Sequence, residues 1–151
     1  MRDSHAGSFG VISIASIIAL KVIFLFLVPQ SWFLRTLIIL PLIGRGTMVY
    51  AITLFPYARP FGLGKLFKEK TTRATLAIAS LITLLLAGLL LRWAGLLIAA
   101  AATGVITGIA FFFRRKFSGL TGDNYGAINE IAEVTVLFMV VLLSNNNWLA
   151  L

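Results

Sequence analysis

The chain has 151 residues, of which 60% are hydrophobic, and a mean hydropathy of +1.00, whereas a soluble domain is about half apolar. The composition therefore excludes an ordinary water-soluble protein. The absence of cysteine excludes disulfides and thiolate-bound metals, and the lone His5 excludes a multi-histidine metal site.

Five apolar segments follow one another, each near the ~20 residues that cross a bilayer. They cover residues 9–28, 32–55, 74–91, 93–113 and 127–143. Sheets with open edges cannot span lipid, so the segments are predicted to be helices. The sequence thus predicts an all-α fold, a polytopic integral membrane bundle of about five transmembrane helices, with residues 1–151 forming a single membrane domain.

Basic residues concentrate in two of the connections, 57–73 and 114–126. Five spans place both connections on the same side as Met1, and the bias of Lys and Arg makes that side cytoplasmic. The formal charge of +8 is explained first by this topology, and we expect no nucleic-acid partner. The acids described next fall at the same face, so the functional face is predicted to be cytoplasmic.

Three of the chain's five acids, Asp123, Glu130 and Glu133, lie at the start of the last apolar segment. On a helix they fall within roughly an 80° arc. A carboxylate inside an apolar helix is costly unless a cation, a base or water accompanies it. This pattern indicates a divalent cation, or a polyphosphate held through one. The alternative is capping of the helix dipole, which Asp123 could provide alone but from which the deeper Glu133 gains little.

A basic, glycine-containing loop lies in the first of the two connections. Gly62 and Gly64 would let backbone N–H groups approach an anion, and Arg59, Lys65 and Lys68 add positive charge. The alternative is a plain cytoplasmic loop that obeys the charge bias.

Arg45 lies near the middle of the second segment, where a surface anchor would not be placed. It predicts either a structural ion pair with Glu130 or Glu133, or a ligand contact. The sequence leaves both open.

Four motifs, in this order, resemble the cobalamin synthases, the adenosylcobinamide-GDP ribazoletransferases of vitamin B12 synthesis. They are Met1-Arg-Asp-Ser with Gly7 and Gly10; Arg45-Gly-Thr47; Tyr57-Ala-Arg59 with Gly62-Leu-Gly64 and Phe67; and Gly119-Leu-Thr-Gly-Asp123 with Gly126-Ala127, Glu130 and Glu133. Together they cover most of the chain. Gly44 stands where the family often has serine.

The resemblance implies a Mg²⁺-dependent transferase in a prokaryotic plasma (inner) membrane. A hydroxyl of α-ribazole, or of its 5′-phosphate, attacks the pyrophosphate of adenosylcobinamide-GDP, giving adenosylcobalamin or its phosphate and releasing GMP. By this resemblance the catalytic residues are Asp123 and Arg45, the substrate phosphates are bound by Arg2, Arg59, Lys65, Gly62 and Gly64, and the Mg²⁺ ligands are Asp123, Glu130, Glu133 and Asp3.

Two features that this family normally has find no counterpart in the sequence. Upstream spans and an acidic His-Leu-Asp-Gly-Leu-Ala-Asp-type motif find no match, so the sequence resembles the C-terminal part of the enzyme. We therefore expect it to be inactive alone and to act with membrane lipid, and with either a separate N-terminal half or a second copy. The alternatives are a non-catalytic membrane subunit, such as a transporter component, and an inactive fragment.

Overall fold

The fold is helical, as predicted. The structure, a computed structural model, describes residues 8–145, with side chains from Gly10 onwards. Its helices are α1 (Ser8–Leu27), α2 (Gln30–Leu54), α3 (Leu63–Lys70), α4 (Arg73–Phe117) and α5 (Gly122–Asn145). Over this range there is no regular sheet, and Tyr57 and Leu120 form an isolated bridge.

Four of these helices, α1, α2, α4 and α5, are long and apolar enough to cross a membrane. Helices α1 and α2 match the first two predicted segments closely. Helix α5 begins at Gly122, before the predicted start at residue 127. Asp123, Glu130 and Glu133 therefore share one helix, as expected.

Helix α4 contains the third and fourth predicted segments as two arms of a hairpin. Its 45 residues are interrupted at Arg92, whose φ of 54° and ψ of −139° are not helical. In a continuous helix, residues eight apart are separated by ~12 Å. A Cβ atom on Gly95 would instead lie 2.0 Å from the carbonyl oxygen of Ala87. The chain therefore reverses at Arg92, and the prediction that the five apolar segments are helical is confirmed.

The 57–73 connection contains the short helix α3, which the sequence analysis did not predict. Leu63, Leu66 and Phe67 recur at helical spacing and are 77%, 53% and 61% exposed. Such a short amphipathic helix fits the boundary between lipid and water. The Lys68 ammonium donates hydrogen bonds to the carbonyls of Ile52 (2.7 Å) and Thr53 (2.8 Å), which fastens α3 to the end of α2.

The two basic connections meet at the same end of the bundle. The amide of Ala58 donates to the carbonyl of Leu120, and the amide of Leu120 donates to that of Pro56, both at 2.8 Å. A Cβ on Gly119 would lie 2.7 Å from the Pro56 oxygen, so only glycine permits this approach. This end is called the loop end below.

Helix α5 packs against every other helix and so organises the core. One buried cluster includes Ile43 and Val136, and a second, nearer the loop end, includes Ile52 and Ala132. Buried alanines on α4 let the helices approach closely, as small residues do in membrane bundles; they are Ala87, Ala94, Ala99, Ala102 and Ala110.

Candidate functional site

A cavity of about 440 Å³ opens at the loop end between α2, α3 and α5. It is called the loop-end cavity. Its lining includes Gly64 from α3, and Asp123 and Tyr125 from α5. Thr121 and Asn124 form reciprocal backbone-to-side-chain bonds of 2.8 and 3.4 Å, which cap the start of α5. The cap fixes where Asp123 lies relative to the cavity.

Asp123 and Arg59, two of the predicted site residues, are neighbours here. The Arg59 Nη1 and Asp123 Oδ2 atoms are 3.8 Å apart, and the side chains are 54% and 88% exposed. Lys65 pairs with Glu69 at 3.7 Å on the exposed side of α3. Exposed pairs such as these contribute at most ~1 kcal/mol. Both cations can therefore exchange their partner for an anionic ligand at small cost.

Gly62 and Gly64 have structural reasons to be glycine. Gly62 has a φ of +126° at the start of α3, a conformation that L side chains rarely adopt. A Cβ on Gly64 would lie 2.7 Å from the Tyr57 ring and 3.0 Å from the Cα of Gly122. These contacts join α3 to α5. The predicted contact of the two glycines with phosphate stays a prediction.

Two tyrosines that the sequence did not single out as site residues lie beside the cavity. The rings of Tyr57 and Tyr125 are 6.2 Å apart. The Tyr125 hydroxyl is buried and has no hydrogen-bond partner among residues 8–145. A buried hydroxyl without a partner is costly, so it is available to a ligand. The sequence did offer one signal for Tyr125, because it lies in the stretch that also contains Asp123 and Glu130.

The remaining predicted acids take part in a charge cluster deeper in the bundle. Lys21 Nζ lies 2.5 Å from Glu130 Oε2 and 2.7 Å from Glu133 Oε2. Arg45 Nη1 contacts Glu133 Oε1 at 3.2 Å, and Asn129 donates to the same oxygen at 3.0 Å. The sequence prediction missed Lys21, although it is the only charge in the first apolar segment.

The charge cluster supports the structural interpretation of Arg45. Glu133 is 8% exposed, and a charge near the centre of a membrane helix costs ~3 kcal/mol even on the lower scales. The two cations and two carboxylates offset one another. The cluster thus links α1, α2 and α5 through side chains that lipid would not solvate.

The predicted three-acid magnesium site is not assembled by residues 8–145. Ten residues of helix separate Asp123 from Glu133, or ~15 Å along the axis. Among the residues described, no group of three His, Cys, Asp or Glu side chains could hold a metal. Glu130 and Glu133 contact cations instead. Asp123 can supply one oxygen ligand, and Arg2 and Asp3 lie outside the described residues.

The two predicted catalytic residues are likewise apart. Arg45 contacts Glu133, whereas Asp123 lies ~15 Å nearer the loop end on the same helix. The structure therefore brings together Asp123, Arg59, Lys65, Gly62 and Gly64 around the loop end. It places Arg45, Glu130 and Glu133 in the charge cluster.

Partial burial lowers the pKa of Lys68 on α3 below its usual value. Its two hydrogen bonds to carbonyl oxygens favour the charged ammonium and so oppose that shift. The geometry is that of a charged lysine covering the carbonyl end of α2.

Comparison with known proteins gives one consistent result. A family model described as cobalamin-5-phosphate synthase matches residues 1–141. A protein named adenosylcobinamide-GDP ribazoletransferase from Desulforamulus reducens is 40% identical over 147 residues, covering 94% of this chain and 57% of that protein. A protein of the same name from Roseiflexus sp. is 40% identical over 143 residues, covering 94% of this chain and 53% of that protein.

A third protein of that name, from Herpetosiphon aurantiacus, is 41% identical over 148 residues, covering 97% of this chain and 58% of the relative. The chain thus spans little more than half the length of these relatives. No solved structure matches. Since the family model covers nearly the whole sequence, including both polar clusters, the chain belongs to the cobalamin-5-phosphate synthase family.

Proposed function

We propose that this chain supplies the C-terminal share of an adenosylcobinamide-GDP ribazoletransferase in a prokaryotic plasma (inner) membrane. The observation that carries the proposal is the family match over residues 1–141, which includes the loop end with its exposed Arg59–Asp123 pair. The activity requires the residues that the relatives have and this chain's match does not cover. The loop end faces the cytoplasm, because Lys and Arg favour that side.

The reaction proposed is a displacement at phosphorus. A hydroxyl oxygen of α-ribazole, or of its 5′-phosphate, forms a bond to the phosphate that stays on cobinamide. The bond from that phosphate to GMP breaks, GMP keeps the electron pair, and the hydroxyl proton is released. Such reactions depend on positioning and on charge around the phosphate oxygens.

The loop end offers residues suited to those needs. Arg59 and Lys65 are only weakly held by their exposed acidic partners, so both can bind pyrophosphate oxygens. The loop-end cavity is apolar on its α2 wall and polar at Asp123, and the Tyr125 hydroxyl can donate a hydrogen bond. In this proposal Asp123 orients the incoming hydroxyl, which its exposure beside Arg59 supports.

Mg²⁺ is part of the proposal, with Asp123 as one ligand. A bound Mg²⁺ would supply positive charge to offset that of the pyrophosphate. Mg²⁺ sites at substrate phosphates commonly use one or two carboxylates, with phosphate oxygens and water completing the shell. Asp123 fits that role, whereas Glu130 and Glu133 are engaged by Lys21 and Arg45.

The competing function is a non-catalytic membrane subunit. The charge cluster alone would suit such a protein. It does not account for the exposed ion pair beside a cavity at the loop end, and the family match favours the transferase.

The test is a reconstitution. The chain is co-expressed with the part of the D. reducens relative outside the match, and the membranes receive adenosylcobinamide-GDP, α-ribazole and Mg²⁺. We expect adenosylcobalamin and GMP, detected by chromatography, from the pair and not from either part alone. Product from the chain alone would show that the missing part is dispensable. No product from a pair that co-purifies would argue against the transferase.

A further inference from the structure

Arg45 has an uncovered side at membrane depth. It lies nine residues before the end of α2, or ~14 Å from that end, about half the ~30 Å hydrocarbon thickness. Its side chain is 62% exposed, compared with 11% for its partner Glu133. Lipid tails offer no hydrogen-bond acceptor to a guanidinium group.

The hydrogen-bonding capacity of Arg45 is largely unused. Its contacts with Glu133 (3.2 Å) and with the Pro41 carbonyl (3.4 Å) both come from Nη1. Nε and Nη2 have no partner among the residues described. A guanidinium presents its donors as a planar fork that matches a carboxylate.

A groove runs beside this unsatisfied group. It has a volume of about 420 Å³ and lies between α2 and the first arm of α4, with Arg45 in its lining and otherwise mostly apolar side chains, among them Ile38, Leu42, Val49 and Ile82. This is called the Arg45 groove. Helix α2 is also open on the side away from this groove, because α1 packs on α5 and makes few contacts with α2.

We propose that the Arg45 groove receives a transmembrane helix whose carboxylate binds Nε and Nη2 of Arg45. The apolar lining fits a helix, and the free donors require an acceptor at the same depth. A lipid phosphate lies at the membrane surface, too far from this position. The helix comes from the portion of the family that this chain does not span, since the match covers 57% and 53% of two relatives. The inference rests on the proposed function for the identity of the partner.

The first test is cross-linking in membranes that contain the chain and the complementary part of the D. reducens relative. A photoreactive residue replaces Ile38, which is 46% exposed on the Arg45 side of α2. The control replaces Leu89, which is 77% exposed on the first arm of α4 outside this groove. We expect the partner to be captured from position 38 and not from position 89.

The second test is co-purification. Arg45→Met is expected to lower recovery of the partner roughly tenfold or more, as loss of one side of a buried charge pair does. Arg45→Lys should retain an intermediate amount. Arg35→Met is the matched control, because Arg35 lies near the other end of α2 and stacks on Trp32 at 4.9 Å. It should leave recovery unchanged.

The outcomes separate this inference from the proposed function. The docking inference would be overturned if position 38 cross-linked to a second copy of the chain or to lipid only. It would also be overturned if position 89 captured the partner as well as position 38 does. Cross-linking in the unsubstituted Arg45 background does not depend on whether Arg45→Met folds. A captured partner without ribazole transfer would leave the docking intact and reject the function. Ribazole transfer without capture of the partner from position 38 would leave the proposed function intact and reject the docking.

Discussion

At the scale of single residues, the acids of α5 differ in their surroundings more than in their chemistry. Asp123 is 88% exposed and faces Arg59 across 3.8 Å. Glu133, ten residues further along, is buried between Lys21 and Arg45. A carboxylate is therefore accessible to a ligand at one end of α5 and takes a structural role in its middle. Two predictions follow from that difference.

Asp123→Asn should reduce turnover of the reconstituted enzyme about a hundredfold. Loss of one charged ligand or one transition-state contact costs ~3 kcal/mol. Glu69→Gln is the control, because Glu69 only pairs with Lys65 on the exposed side of α3. Rates are compared at equal amounts of membrane-inserted protein. Full activity with unchanged Mg²⁺ dependence in Asp123→Asn would return Asp123 to a helix-capping role.

Glu133→Gln should lower the stability of the bundle by several kcal/mol. Removing one partner of a buried ion pair costs ~3–5 kcal/mol because the other charge stays buried. Here the largely buried Lys21 would keep only Glu130, and Arg45 would lose the one acid that it contacts among residues 8–145. Unfolding of the detergent-solubilised chain by SDS would measure this. Glu69→Gln should unfold like the unsubstituted chain. Equal stability of the two variants would contradict the structural role of the charge cluster.

At the scale of elements, two close approaches set the architecture. The arms of α4 meet so tightly that the Ala87 carbonyl lies where a Gly95 side chain would begin. Gly64 and Gly122 similarly bring α3 against α5. Backbone atoms cannot move aside as the end of a flexible side chain can. A substitution at Gly95 or Gly64 would therefore displace a whole helix rather than a single side chain.

Gly95→Ala should destabilise the hairpin of α4. Its added Cβ would fall 2.0 Å from the Ala87 carbonyl oxygen, and overpacking of this kind costs ~1–3 kcal/mol. Gly104→Ala is the matched control on the second arm, since no atom lies within 4 Å of its Cβ position. It should be neutral or stabilising by up to ~1 kcal/mol. Melting temperatures in detergent would compare them, and equal values would argue against the tight reversal at Arg92.

At the scale of the whole molecule, the hairpin of α4 decides which loops share a side. With five crossings, the 57–73 and 114–121 connections fall together, and their backbones are joined through Ala58 and Leu120. The end of α5 falls opposite. The basic residues then mark one face, and from the charge bias we expect that face to be cytoplasmic.

Single cysteines should report this topology, because the chain has none of its own. Cysteines at the exposed positions Lys70 and Arg115 should react with an impermeant reagent from the cytoplasmic side of oriented vesicles. One at Asn145, the exposed end of α5, should react from the other side. Labelling of Lys70→Cys and Asn145→Cys from the same side would exclude five crossings.

The sequence by itself determined the helical membrane fold, the five apolar segments and the family, since hydropathy and motif order are properties of the chain alone. It also left open the two roles of Arg45, and only the tertiary structure favoured an ion pair, by placing Glu133 at 3.2 Å. Helical spacing placed the three acids on one face but could not show that Lys21, 109 residues away from Glu130, reaches them. Partners distant in sequence depend on how helices pack, and the separation of Asp123 from the charge cluster is a consequence of that packing.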